Sequence, residues 1–180
     1  MKQVLRKTEL LPKVILSLSS ALALTLSPFI ATAQRRTFNN GNVQYVLGLP
    51  SGRWRAVARP DDFHQHIDFI YGDGSGGHLR IRKEIVDEGT TPLDLTRRDQ
   101  QELSLLPGYV EDQERKFAGS LSGIMFSYQY TSGGRPMAGR IYYLKANERT
   151  IYVLHFSGER DKFLPLGNQM DSMAVSFHLK

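Results

Sequence analysis

Three strand-like segments in the second half of the chain are apolar on both faces, and such a strand must be covered on both faces. Residues 121–131 place Ile124, Phe126, Tyr128 and Tyr130 on one side, and Leu121 and Met125 on the other. Residues 150–157 set Ile151 and Val153 against Tyr152, Leu154 and Phe156. Residues 136–145 lie between them and residues 109–117 precede them, with tight turns at Gly119, Gly133-Gly134 and Asn147-Glu148. Short turns join antiparallel neighbours. The pattern predicts a four-strand meander, three strands of which are sheltered by a layer on each side.

Two helices can supply that shelter. Thr91-Pro92-Leu93-Asp94 reads as a helix start, with a threonine cap, proline at the first helical position and an acid that meets free amides. This helix should reach about residue 106, where Pro107-Gly108 stops it; its stripe is Leu93, Thr96, Gln100, Leu103 and Leu106. The charges Arg97, Arg98, Asp99 and Glu102 read as its solvated face. Near the carboxyl end, Phe163, Leu166, Met170, Met173 and Phe177 recur at spacings of three and four, a helical stripe over 162–175 with Pro165 in its first turn. Ahead of the meander, residues 43–47, 54–58, 63–71 and 78–86 read as strands. In 63–71, Phe63, Ile67, Phe69 and Tyr71 oppose His64, His66 and Asp68; in 78–86, Leu79, Ile81 and Ile85 face in. The expected fold is α+β, an antiparallel β-sheet sandwiched between helices.

The first 33 residues are an address. Lys2, Arg6, Lys7 and Lys13 precede an uncharged apolar run over 14–30, and Ala31-Thr32-Ala33 closes it. A basic start, an apolar middle and an A-x-A end make a secretory signal peptide over 1–33, cut between Ala33 and Gln34. Four serines, a threonine and Pro28 dilute the run below the ~20 apolar residues of a spanning helix, so no stable membrane insertion is expected after cleavage. Of 23 basic and 18 acidic side chains, four and one leave with the signal; 19 and 17 remain, a net of +2. That balance gives no basic field for nucleic acid. The expected destination is periplasmic or extracellular, with residues 34–42 a flexible lead and 43–180 one domain. Without cysteine, the domain has no disulfide and no thiolate, and burial alone must hold it.

Several segments together resemble the PsbP-like family. Leu49-Pro50-Ser51-Gly52-Arg53-Trp54 is similar to its P-S-G-x-W opening. Arg140-Ile141-Tyr142-Tyr143-Leu144, Tyr152-Val153-Leu154-His155-Phe156, Arg160-Asp161-Lys162-Phe163 and Ser176-Phe177-His178-Leu179 are similar to its second half. The order of these segments over residues 45–180 carries the resemblance. It implies a twisted antiparallel sheet between helices and a role exerted by binding: PsbP itself is an extrinsic subunit of photosystem II that supports calcium and chloride retention. It implies no catalytic motif and no cofactor.

The residues offer few chemical sites of their own. His64 and His66 project from one strand face with Asp68 next in the row, a donor set suited to zinc, copper or manganese. The plainer reading is a solvated polar face. Residues 72–77 lack the lysine and following helix of a phosphate loop, and one carboxylate, Asp73, cannot build a calcium site. No G-x-S-x-G elbow occurs, because Ser75 and Ser122 both lack the glycine two residues before them. His155, between Leu154 and Phe156, reads as a packed histidine. Tyr128, Tyr130, Arg140 and Tyr142 offer a candidate partner surface, since tyrosine and arginine are enriched in binding hot spots; their plainer role is core beneath the helix layers. The function expected is an exported, non-enzymatic binding or assembly module with a protein partner. A metal-binding accessory domain centred on His64 and His66 is the alternative, and a hydrolase stands below both.

Overall fold

The computed structural model describes residues 36–60 and 65–180 of the chain. The elements are β1 Arg36–Asn39, β2 Tyr45–Leu49, β3 Trp54–Pro60, β4 Gln65–Tyr71, β5 Gly77–Ile85, α1 Pro92–Leu103, β6 Val110–Ala118, β7 Ser122–Ser132, β8 Arg135–Asn147 and β9 Thr150–Glu159. Then follow α2 Arg160–Phe163, a 3-10 turn Leu164–Leu166, α3 Gly167–Ser176 and β10 His178–Leu179. The architecture is mostly antiparallel β, in two sheets, with few helices. A seven-stranded sheet runs β3-β4-β5-β9-β8-β7-β6, and a three-stranded sheet runs β1-β2-β10.

Turn chemistry sets the meander. Gly133 and Gly134, at φ of 56° and 75°, join Ser132 to its partner Arg135 in a two-residue hairpin whose left-handed residues match the strand twist. The last strand of the meander, β9, inserts between β8 and β5, so Leu154 faces Tyr142 on one side and Ile81 on the other. That central place explains why β9 is apolar on both faces. The outer strand β6 is charged and bulged between Glu111 and Gln113, which guards the edge against another chain.

Each face of the large sheet carries its own core. Met125, Tyr142, Leu154 and Phe156 pack with Trp54 and Phe69, with Leu47 of β2, and with Met170, Met173 and Phe177. Phe126, Ile141, Tyr143, Ile151 and Val153 pack with Leu95 of α1.

Five sequence expectations change. The lead over 34–42 contains a strand: β1 pairs with β2, and Phe38 meets Phe69 edge-on at 4.9 Å. Helix α1 stops at Leu103 because the next amides switch to i→i+3 bonds, Leu105 to Glu102 at 3.2 Å and Leu106 to Leu103 at 2.9 Å. Its buried side is Leu95, Thr96 and Asp99, and Leu93 is exposed, as is Ile85 on β5. The closing helix is broken into α2, the 3-10 turn at Pro165 and α3, although Phe163, Leu166, Met170, Met173 and Phe177 are all buried.

Candidate functional site

On the α1 face, the large sheet changes from apolar to polar where the helix no longer covers it. Helix α1 contacts β7 and β8; on β4, β5 and β9 the same face carries Asp68, His78, Arg80, Arg82 and His155. Alternation along each strand and the antiparallel register gather these side chains, since Asp68 lies opposite Arg80 and Arg80 opposite His155. Asp68 is only 1% exposed. Its carboxylate meets His78 Nε2 at 3.3 Å and Arg80 Nε at 3.5 Å. A buried carboxylate needs such partners.

Asp99 is the second hub. From α1 it accepts hydrogen bonds from Arg82 at 2.5 Å, Arg98 Nε at 3.0 Å and the Tyr143 hydroxyl at 3.1 Å. Glu84 forms an ion pair with Arg82, its carboxylate 2.7 Å from Nε but outside hydrogen-bond geometry. The solvated face read for Arg97, Arg98, Asp99 and Glu102 is therefore wrong at Asp99, because Arg82 and Tyr143 rise from the sheet to meet it. Burial, then the Asp99 charge, pushes the Tyr143 pKa up and keeps its hydroxyl protonated.

The third element joins Tyr128 and His155 at 2.9 Å across the bare backbone of Gly139, where any side chain would collide with the Tyr128 ring. Burial first, then the charge of Arg82, lowers the His155 pKa to about 4. The ring is thus neutral at pH 7. Burial raises the pKa of Tyr128, so we assign its hydroxyl as donor to Nε2, which leaves the ring proton on Nδ1. Past this pair the face opens into a cavity of about 560 Å3, floored by His78, Met137, Ser157 and Glu159 and walled by Ser75, Ser132 and Arg135.

The residues singled out from sequence are scattered. Ala33, Gln34 and His64 lie outside the described residues, and His66 pairs with Arg59 in β4, its side chain likewise outside them. Asp68, nominated as the third metal ligand, is held by His78 and Arg80. Among the described residues no group of three His, Cys, Asp or Glu is placed to hold a metal ion. The four nominated partner residues do not share a surface. Tyr128 is buried on the α1 face, whereas Tyr142 is buried on the other, where it donates to Asp171 of α3 at 2.5 Å. Arg140 turns to the Gly167 carbonyl at 3.2 Å, pinning the start of α3. Tyr130 remains half-buried near the end of β7, stacked on Tyr128 with centroids 5.7 Å apart.

Asp99, Arg82, Tyr143 and His78 escaped the sequence reading as a site. Their only local signal was the polar alternation His78, Arg80, Arg82, Glu84 along β5, which looks the same for a solvated face. Among the described residues, no helix is long and apolar enough to cross a membrane.

No family model matches the chain, and no curated protein does. Solved structures do. Cyanobacterial PsbP (CyanoP) of Synechocystis superposes with a TM-score of 0.57 at 13% identity, over 87% of this chain and 99% of that one. LpqN of Mycobacterium tuberculosis, involved in cell envelope biogenesis, gives 0.56 at 12% identity, over 82% and 91%. PA94 of Pseudomonas aeruginosa, a protein of unknown function, gives 0.52 at 9% identity, over 81% and 97%. At these identities the likeness is one of fold. The resemblance to PsbP read from the sequence has its counterpart in structure.

Proposed function

We propose that the chain is an exported, non-enzymatic binding module with the α/β/α layering of PsbP, acting through contacts with a protein partner. The observation that carries this reading is an apolar lip at residues 105–110. Leu106-Pro107-Gly108-Tyr109 has the residues and hydrogen bond of a type II turn: proline second, Gly108 at φ 64°, and Tyr109 N donating to Leu106 O at 3.2 Å. Such a turn brings its flanks together, and the flanks are Leu105 and Val110, 84% and 58% exposed. These two exposed apolar side chains beside a half-buried tyrosine are the surface to which we assign the partner contact.

Two further observations support the reading. The charged groups of the α1 face are paired with one another, and His155 is joined to a tyrosine rather than to a nucleophile. The signal-like first 33 residues and the fold shared with an envelope-biogenesis protein fit an envelope setting. A photo-crosslinking side chain placed at 105 in the native host should trap one discrete product in the exported fraction, and the same group at exposed position 148 should not. In the chain that carries the crosslinker at 105, Val110→Glu should abolish that product without changing the melting temperature. Equal products from both positions, or turnover in a substrate panel, would overturn the proposal.

A further inference from the structure

The cavity past the Tyr128–His155 pair has a chemistry separate from the apolar lip. Its floor is set by register: His78 lies directly opposite Ser157 and Met137 directly opposite Glu159. It is an open cleft of about 560 Å3. Among the described residues, the hydroxyls of Ser132 and Ser157 are spent on no other side chain, and each can both donate and accept. His78 offers Nδ1, because Asp68 holds its Nε2.

Charge then narrows the ligand. Arg135 is the cation of the cavity, and Glu159 already meets it at 3.1 Å; Glu159 also holds Lys162 at 2.8 Å. These contacts lower the Glu159 pKa, led by the Lys162 hydrogen bond, and keep the carboxylate charged at neutral pH. A ligand carrying a full negative charge would have to displace Glu159 or sit against it. A neutral ligand rich in hydroxyls would not, and it could use the guanidinium and the carboxylate together. The floor supplies an apolar contribution through Met137. Donors and acceptors in balance, no uncompensated charge and a C–H-binding surface are what a pyranose ring requires.

We propose that this cavity binds a neutral saccharide of one or two rings. The test uses the purified exported chain with maltose and cellobiose as neutral probes, and glucuronate and inorganic phosphate as charged ones. Either disaccharide should shift the amide resonances of Ser132, Gly133, Ser157 and Gly158 with millimolar or tighter affinity. Arg135→Ala, at a largely exposed side chain, and Ser132→Ala with Ser157→Ala should each weaken binding by about tenfold, the loss expected for one charged or two neutral hydrogen bonds. Saccharide binding should persist in the Leu105→Glu, Val110→Glu chain, which separates this site from the protein contact. Silence from both neutral sugars at high millimolar concentration would overturn the proposal. So would shifts produced by phosphate or glucuronate alone, which would mark an anion site, or variants that bind as the unaltered chain does.

Discussion

His155 stands half-buried on the central strand, and the folded state holds its pKa near 4, whereas an unfolded histidine titrates near 6.5. As pH falls from 6.5 towards 4, the unfolded chain takes up a proton that the folded chain refuses, and stability drops; below 4 both forms are protonated and this loss levels off. His155→Gln keeps an acceptor for Tyr128 but removes the titration. Urea melts at pH 7 and pH 4.5 should therefore show the unaltered chain losing more stability than the variant. Parallel losses would mean that the ring is not buried neutral. Asp68 bears on the metal reading, because its carboxylate already meets His78 and Arg80. Zinc, copper, manganese or calcium should leave the melting temperature unchanged, because a bound ion would have to take Asp68 from His78 and Arg80. A metal-dependent rise abolished by His64→Ala with His66→Ala would restore the metal reading.

The apolar stripe of the closing helix and the stripe of α1 show what periodicity can and cannot reveal. Met173 is fully buried, whereas Val175, two residues later, is 47% exposed. Met173→Ala should cost about 3 kcal/mol, the loss expected when a core side chain leaves a cavity, and Val175→Ala under about 0.5 kcal/mol. Denaturant midpoints decide it, and equal losses would place α3 differently. That stripe was legible because every buried position in it is apolar. In α1 a buried position is Asp99, so hydropathy turned the predicted face towards Leu93, although the Thr91–Asp94 cap was legible and is present as a reciprocal capping box. Strand β1 was hidden for a similar reason, since Phe38 is the only apolar side chain in Arg-Thr-Phe-Asn. The facing of residues within β7 and β9 could be read from alternation alone. Which face of one strand matches which face of the next depends on register. Tyr128 and Tyr142 therefore looked like neighbours although the sheet separates them. The site resisted for the same reason: Arg82, Asp99 and Tyr143 come from three elements, and no local pattern joins them.

At the scale of the molecule, the small sheet ties the two ends of the described chain together. β2 is flanked by β1 from the amino-terminal side and by β10 from the carboxyl end, with Lys180 N also reaching Gln44 O at 3.2 Å. This sheet places Tyr45 against Phe177 and Phe38 against Phe69, so the amino-terminal strand helps close one face of the large sheet. If the chain is exported as proposed, a cut that keeps β1 must fall ahead of Arg36. Cleavage after Ala33 leaves Gln34-Arg35 ahead of Arg36, and β1 survives whole. A cut only a few residues further on would remove Phe38 and leave β2 with an unpaired edge. Amino-terminal sequencing of the exported protein should therefore read Gln34 first. A chain begun at Gln34 should melt with the exported protein, whereas one begun at Gly41 should lose about 2 kcal/mol for Phe38 alone. If the exported protein starts beyond Asn39 and is no less stable than the chain begun at Gln34, β1 contributes nothing to the fold and the cut is not constrained by it.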